Sequence, residues 1–306
     1  MLNISVFVLG RIIFHKSKNA ITLRSIFPDL KDNSYLKRPS TRNKIVGYIL
    51  GIESWNLVLF GKISENHNLT FLLACLIVAY DNAVDEEKFN DWNNFEKFLK
   101  NPILNPETDP KTAIGAAKMI ILTIKNTEPL FWESAKKYIT LIHCATKESF
   151  LTAAESHINI ERLRKSSYDK GGYAFLLWTL ANSNSVPENH IDIIYKFGAA
   201  VQIADDIYDR REDKILGQST LASHNLIQAA DRKLIRESVK QLPKKEGSVS
   251  STLLNAWEIH LRDSLLYYDS GKLSGRWKYS IGQNLFEIGV KIMPVVPFSI
   301  LRMLGF

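Results

Sequence analysis

The chain has 306 residues, of which 45% are hydrophobic and 23% are charged. This composition can bury a sizeable core, so it excludes a disordered tail or linker. The formal net charge of +7 favours an anionic ligand or an anionic membrane surface, and we expect no nucleic-acid partner. The two cysteines, Cys75 and Cys144, offer neither a disulfide framework nor a metal-binding pair, which favours a reducing, cytoplasmic location.

Apolar residues recur every three or four positions along most of the chain, which predicts an all-α protein. Turn residues divide the chain into helices at about 41–60, 69–88, 91–100, 110–126, 130–160, 171–183, 188–213, 228–241, 250–269 and 277–292. No linker rich in Pro, Gly or Ser interrupts this pattern, and heptads are not sustained. We therefore predict a single helical domain over residues 1–306.

No segment of the sequence is predicted to cross a membrane. The longest apolar run, Leu69 to Tyr80, is shorter than the roughly 20 residues that a spanning helix needs. The amino terminus lacks the basic region and the cleavage site of a signal peptide. The segment 281–306 is apolar but contains Pro294 and Pro297, so we expect it to pack on its own domain, with peripheral membrane contact as the alternative.

The most informative segment runs from Gln202 to Asp213 and reads QIADDIYDRRED. On a helix its four aspartates share one face: Asp205, Asp206, Asp209 and Asp213. Because like charges at this spacing repel, the simplest interpretation is a solvated stripe offset by Lys and Arg. Upstream, however, the same face continues through Tyr195, Gly198 and Ala199. Because the residues there are small and apolar, the pattern favours a second interpretation, in which the four aspartates lie at the rim of an apolar cavity.

A second acidic set follows the apolar run at Asp81 and Asp85. These residues also share a helix face, which continues upstream through Ala74, Ile77 and Val78. If the two acidic faces meet, they form an apolar pocket with four carboxylates at its mouth. Carboxylate oxygens suit Mg²⁺, which commonly bridges to substrate phosphates. The predicted ligand therefore has an apolar body and a diphosphate head.

Three segments resemble the class I isoprenoid synthases, the group of trans-prenyltransferases, squalene and phytoene synthases and terpene cyclases. They read KGGYAFLLW from Lys170, FGAAVQIADDIYD from Phe197 and LGQST from Leu216. The first acidic motif, DNAVD from Asp81, is closer to the DxxxD spacing of the squalene and phytoene type. The resemblance covers about residues 40–225.

This resemblance implies an all-α bundle with a central apolar cavity and three Mg²⁺ ions held between the acidic sets and a prenyl diphosphate. The implied metal ligands are Asp81, Asp85, Asp205 and Asp209, with Asp206 or Asp213 assisting. The candidate diphosphate-binding residues are Lys170, Arg162, Arg164 and Lys214. Glycines after Lys170 are expected to break the helix there. A homodimer is common in the group.

Aromatic residues near these motifs are candidates for the lining of the cavity, where they would stabilise a carbocation. They are Tyr173, Phe175, Trp178, Phe197 and Tyr208. Aromatic residues at helical spacing are more often ordinary core, so both interpretations stay open at this point.

The implied activity is Mg²⁺-dependent ionisation of an allylic prenyl diphosphate, with release of diphosphate. A terpene synthase, or cyclase, is favoured because residues 88–97 lack the paired arginines usual in chain-elongating enzymes. The alternatives are a chain-elongating polyprenyl diphosphate synthase and a head-to-head prenyltransferase. More distant alternatives are an all-α Mg²⁺-dependent nucleotide pyrophosphohydrolase, an inactive homologue and a basic helical protein at a membrane surface.

Overall fold

The computed structural model describes residues 33–62, 64–87, 89–103, 108–153, 155, 157–183, 185–243 and 248–271. Within these ranges the chain forms nine α-helices and no strand, which confirms the predicted all-α class. The helices are α1 (Pro39–Phe60), α2 (His67–Asp85), α3 (Trp92–Lys100), α4 (Ala113–Thr127), α5 (Pro129–Ala153), α6 (Ile160–Ser183), α7 (Glu188–Leu216), α8 (Ala229–Gln241) and α9 (Ser248–Ser270).

Most predicted helix ends lie within a few residues of the observed ones, but the prediction around α6 is wrong. The helix was expected to begin at Gly171, after a long helix over 130–160. Instead α5 ends at Ala153, and α6 begins at Ile160 and continues through Gly171 and Gly172. Both glycines are buried against α7, so tertiary packing offsets their low helix propensity.

Several predictions fall outside the described residues. These are the predicted helix over 277–292, the apolar segment 281–306 and the amino-terminal 32 residues.

The described residues divide into two compact units. The first unit takes in residues 33–57 and 64–129, and the second takes in residues 58–62 and 130–271. The first acidic motif belongs to the first unit, and the QIADDIYDRRED segment belongs to the second. That the chain is a single domain stays a prediction.

In the first unit, α2 packs against α4 to form the core. Asn66 caps α2 by accepting a hydrogen bond from the backbone N–H of Leu69 at 3.0 Å. Thr112 caps α4 in the same way, through the N–H of Gly115 at 3.1 Å. Satisfying these otherwise unpaired donors stabilises each helix start.

By length and composition alone, α2 is the one described helix that could cross a membrane. The helix has 19 residues. It is therefore longer than the apolar run from Leu69 to Tyr80, from which we predicted that no segment crosses a membrane. Of its most apolar window, 67% is buried inside the protein. Core helices of soluble proteins meet the same criterion, so this is weak evidence for a span.

In the second unit, α6 and α7 cross at very close range. A Cβ atom on Gly171 would lie 2.2 Å from the carbonyl oxygen of Gly198. A Cβ on Gly172 would lie 2.3 Å from the ring of Tyr195. Since Ser167 contacts Asp206 further along, the two helices run antiparallel. Glycine therefore allows a backbone-to-backbone contact that no larger residue permits.

Candidate functional site

The aspartates of α7 are divided between protein interior and solvent. Asp206 and Asp213 are buried, with 5% and 6% of their surface exposed, whereas Asp205 and Asp209 are exposed. Asp206, Asp209 and Asp213 are spaced by three and four residues, so they form a row along one side of the helix. We call these three residues the carboxylate row.

Asp206 is held by two side chains. Ser167 of α6 donates its hydroxyl to Oδ2 at 3.2 Å, and Gln202 donates its amide to Oδ1 at 2.9 Å. Burial raises the pKa of Asp206, while the charge of Lys170 and the two hydrogen bonds lower it. Burial dominates, because the net effect is a raised pKa.

Asp213 lies where α7 ends. Gly217 adopts a left-handed conformation with φ of 71° and caps the helix, as the turn signal in the sequence predicts. The chain then turns back, so that the Thr220 hydroxyl donates to Asp213 Oδ2 at 3.1 Å. Burial and the charge of Asp206 raise the pKa of Asp213 to about 7.

Asp209 lies between these two residues and reaches solvent. Desolvation by the surrounding protein raises the pKa of its carboxyl to about 6, and the charges of Glu212 and Asp206 add to the effect. The charge of Lys170 lowers the pKa of Asp206 and Asp213, but it does not cancel the effect of burial. All three carboxyl groups of the row therefore have raised pKa values.

Within the described residues, no group of three or more His, Cys, Asp or Glu side chains is arranged to hold a metal ion. The donor chemistry of the carboxylate row nevertheless fits Mg²⁺, which prefers hard oxygen ligands. This ion commonly takes only one or two protein carboxylates and completes its coordination with water and phosphate oxygens. Asp209 is the member of the row with access to such ligands.

The first acidic motif lies in the other unit, at the end of α2. Asp81 is exposed and Asp85 is half-buried in the last two turns of α2. Between them, Asn82 is buried and accepts a hydrogen bond from Lys44 Nζ at 2.7 Å. Lys44 also pairs with Glu86 at 3.2 Å. That the two acidic sets act together stays a prediction.

Both candidate arginines of α6 are paired with acidic side chains. Arg162 bonds to Glu148 and Glu155. Arg164 is buried and makes a two-nitrogen contact with Asp231, at 3.0 and 3.4 Å. A buried pair of this kind joins α6 to the start of α8, so the structure gives Arg164 a structural partner. Diphosphate binding by these arginines stays a prediction.

The other two candidate diphosphate-binding residues are lysines. Lys170 is half-buried beside the carboxylate row, and Lys214 is exposed near the end of α7. The structure thus brings Lys170 together with Asp206 and Asp213.

Four of the five predicted aromatic residues lie in two groups of ring contacts, and the fifth, Tyr208, contacts His260 and Tyr267. Phe175 contacts Trp178 and Phe197, with ring centroids 4.6 and 5.2 Å apart. Tyr173 contacts Tyr195 at 5.4 Å. The residues of the first group are buried, as residues of an ordinary hydrophobic core are. A role for these rings in lining a cavity stays a prediction.

The small residues upstream of the carboxylate row have a packing explanation. Gly198 and Tyr195 lie directly against Gly171 and Gly172 of α6. This contact accounts for the apolar continuation of the acidic face without a cavity. These small residues therefore give no support to a central cavity, which stays a prediction.

No protein-family model, curated protein or solved structure matches the chain. The likeness to class I isoprenoid synthases therefore depends on the motif residues themselves.

Sequence reasoning missed Ser167, Trp257 and His260, and it included Thr220 in the LGQST segment without predicting a role for it. Ser167 and Thr220 bond to carboxylates 39 and 7 residues away. The order of residues gives no signal for the first contact, although a return of the chain after Gly217 could have indicated the second. Trp257 contacts Phe197 at 5.6 Å and His260 contacts Tyr208 at 5.0 Å. Both residues are on α9, beyond the motifs.

Proposed function

We propose that this protein is a Mg²⁺-dependent enzyme of the class I isoprenoid synthase type, which ionises an allylic prenyl diphosphate. The observation that supports this most is the carboxylate row on α7, where the pKa of each carboxyl group is raised despite the nearby Lys170. A divalent cation would stabilise the charged form of these carboxyl groups. A diphosphate would then bind through the cation and the neighbouring lysine.

In this proposal Asp209 binds Mg²⁺, since it is exposed and desolvation, together with the charges of Glu212 and Asp206, makes its negative charge unfavourable without a cation. Asp206 is fixed by Ser167 and Gln202, so it acts on Lys170 rather than moving toward the ion. Lys170 binds a diphosphate oxygen. When bound, Mg²⁺ supplies positive charge that stabilises the departing diphosphate.

A terpene synthase, or cyclase, is the form of the activity that we favour. The segment 88–97 lacks the paired arginines that would hold a second diphosphate in a chain-elongating enzyme of this type. Chain elongation and head-to-head coupling stay as alternatives. A cytoplasmic location, a homodimer and membrane contact through 281–306 are part of the same proposal.

The test is to incubate purified protein and Mg²⁺ with geranyl, farnesyl or geranylgeranyl diphosphate, with and without isopentenyl diphosphate. Released diphosphate and organic products are measured separately. Hydrocarbon or alcohol from one allylic substrate indicates a terpene synthase, and product only with isopentenyl diphosphate indicates an elongase. A parallel incubation with nucleoside triphosphates tests the pyrophosphohydrolase alternative.

Asp209→Asn and Asp192→Asn form a matched pair of variants. Asp192 is an exposed aspartate of the same helix that pairs with Lys196 at 2.7 Å, outside the carboxylate row. We expect Asp209→Asn to reduce diphosphate release about 100-fold or more, and Asp192→Asn to leave it unchanged. Asp81→Asn and Asp85→Asn test the first motif in the same assay. Absence of diphosphate release from every prenyl substrate would overturn the proposal.

A further inference from the structure

The turn that follows α7 is closed by its own hydrogen bonds. Gly217 ends the helix, and the backbone N–H of Gln218 donates to the Asp213 carbonyl at 2.8 Å. The N–H of Thr220 then donates to the Ser223 hydroxyl at 2.9 Å, and the N–H of Ser223 donates to the Thr220 hydroxyl at 3.1 Å. Both Thr220 and Ser223 are buried. The position of the Thr220 hydroxyl is therefore fixed by the turn itself.

These contacts decide the direction in which the Thr220 hydroxyl donates. Its oxygen already accepts a hydrogen bond from the backbone N–H of Ser223, so the hydroxyl proton is available for another partner. An ionised carboxylate can only accept, and Asp213 Oδ2 lies 3.1 Å from the hydroxyl oxygen. Thr220 is therefore the donor in this bond and Asp213 is the acceptor.

The hydrogen bond from Thr220 orients the side chain of Asp213. Among the described residues, Thr220 is the one hydrogen-bond donor to this carboxylate. Burial raises the pKa of Asp213, the charges of Asp206 and Asp209 raise it further, and the charge of Lys170 lowers it. The carboxylate that Thr220 holds therefore lies close to the other charged groups of the site.

We propose that Thr220 is a positioning residue, which holds Asp213 in the orientation that lets the carboxylate row bind Mg²⁺. Asp209 is then the exposed ligand and Asp213 the second carboxylate, which matches the one or two that Mg²⁺ commonly takes from a protein. Removing a side chain that orients a metal ligand typically weakens metal binding about 10- to 100-fold. This inference rests on the proposed function, because it takes the carboxylate row to be the cation site.

The test measures the dissociation constant of Mg²⁺ from full-length protein by titration calorimetry, with no substrate present. Thr220→Val removes the hydroxyl and keeps the branched shape, whereas Thr220→Ser keeps the hydroxyl. Thr179→Val is the matched control, because Thr179 is buried in α6 and its hydroxyl donates to the Phe175 carbonyl at 2.8 Å. We expect Thr220→Val to raise the dissociation constant about tenfold or more, and the other two variants to leave it unchanged.

A second pair of variants separates a positioning role from a merely structural one. If Thr220 acts through Asp213, Thr220→Val should cause no further loss of Mg²⁺ affinity in the Asp213→Asn background. A purely structural role would lower stability in urea, as Thr179→Val should, without changing Mg²⁺ affinity. The inference is overturned if Thr220→Val binds Mg²⁺ as tightly as the unmodified protein, or if its effect is the same with and without Asp213→Asn.

The diphosphate assay keeps the positioning role separate from the proposed function. Diphosphate release by the unmodified protein, together with unchanged Mg²⁺ affinity in Thr220→Val, overturns the positioning role alone. Weaker Mg²⁺ binding in Thr220→Val, without diphosphate release from any prenyl substrate, supports the positioning role and contradicts the proposed reaction. Absence of Mg²⁺ binding to the unmodified protein overturns both.

Discussion

The carbonyl oxygen of Gly198 lies 2.2 Å from the position that a Cβ atom of Gly171 would occupy. Gly198 is equally restricted, since its own Cβ would lie 2.3 Å from the carbonyl oxygen of Gly171. The two helices are therefore in backbone contact at this point. The same crossing holds Ser167 and Lys170 beside the carboxylate row.

Gly171→Ala should force α6 and α7 apart. Because the obstacle is backbone, relief requires a helix shift, and we expect a loss of about 1–3 kcal/mol in the free energy of unfolding. Gly271→Ala is the control, since nothing lies within 4 Å of its Cβ position and only its φ of 66° opposes substitution. We expect that variant to lose about 1 kcal/mol. Urea denaturation measures both, and a smaller loss for Gly171→Ala would contradict the close crossing.

Ser167→Ala should destabilise the protein by leaving Asp206 with one fewer donor. The expected loss is about 1–2 kcal/mol, as for other buried carboxylates that lose a hydrogen bond. Ser166→Ala is the matched control, because Ser166 is equally buried but donates to the Leu163 carbonyl within its own helix. Equal losses in the two variants would show that the hydrogen bond from Ser167 to Asp206 stabilises the protein no more than the bond from Ser166 to a backbone carbonyl of its own helix.

The fold was predictable wherever local signals decided it. The spacing of apolar residues and Gly217 predicts α7 to within three residues of its observed end. The start of α6 was not predictable, because glycine is a poor helix former and its partner, Gly198, is 27 residues away in the sequence. Long-range packing overrode local propensity at that point.

The candidate site was predictable in its residue types but not in their environments. Helical spacing places Asp206, Asp209 and Asp213 on one side of α7. Their different exposures depend on Ser167 and Thr220, which reach the row from other segments. Trp257 and His260 carry no motif, so their contacts with Phe197 and Tyr208 follow only from the packing of α9 on α7.

His260 should make a destabilising contribution in mild acid, opposite in sign to the contributions of Asp209 and Asp213, whose raised pKa values favour the folded protein as pH falls. Burial lowers the pKa of this imidazole from 6.5 to about 4. Between these values the unfolded chain binds a proton at His260 that the folded protein does not, so this residue alone lowers the free energy of unfolding as pH falls. At pH 5 the loss is about 2 kcal/mol. Relative to the unmodified protein, His260→Gln should become more stable as pH falls from 7 to 5, measured by urea denaturation of both proteins. A difference in stability that does not change over this pH range would contradict the prediction.

Asp213→Asn should stabilise the protein at pH 8. Burial and Asp206 raise the pKa of this carboxyl to about 7, so above pH 7 the folded protein contains an unfavourable charge. Near pH 4 the folded protein is protonated at this position, and the variant should gain little. Because the site is partly solvated, we expect a gain of about 1–2 kcal/mol at pH 8. A variant that is less stable than the unmodified protein at pH 8 would contradict this.

Mg²⁺ should raise the midpoint of thermal unfolding, since it would offset the negative charge of the carboxylate row. At an ion concentration of about 100 times the dissociation constant, the stabilisation is about 2.7 kcal/mol. The effect should be larger at pH 8 than at pH 6, because protons compete with the ion for Asp209, whose pKa is about 6. Asp209→Asn should lose most of the effect and Asp192→Asn should keep it. Equal stabilisation of both variants would place the ion elsewhere on the protein.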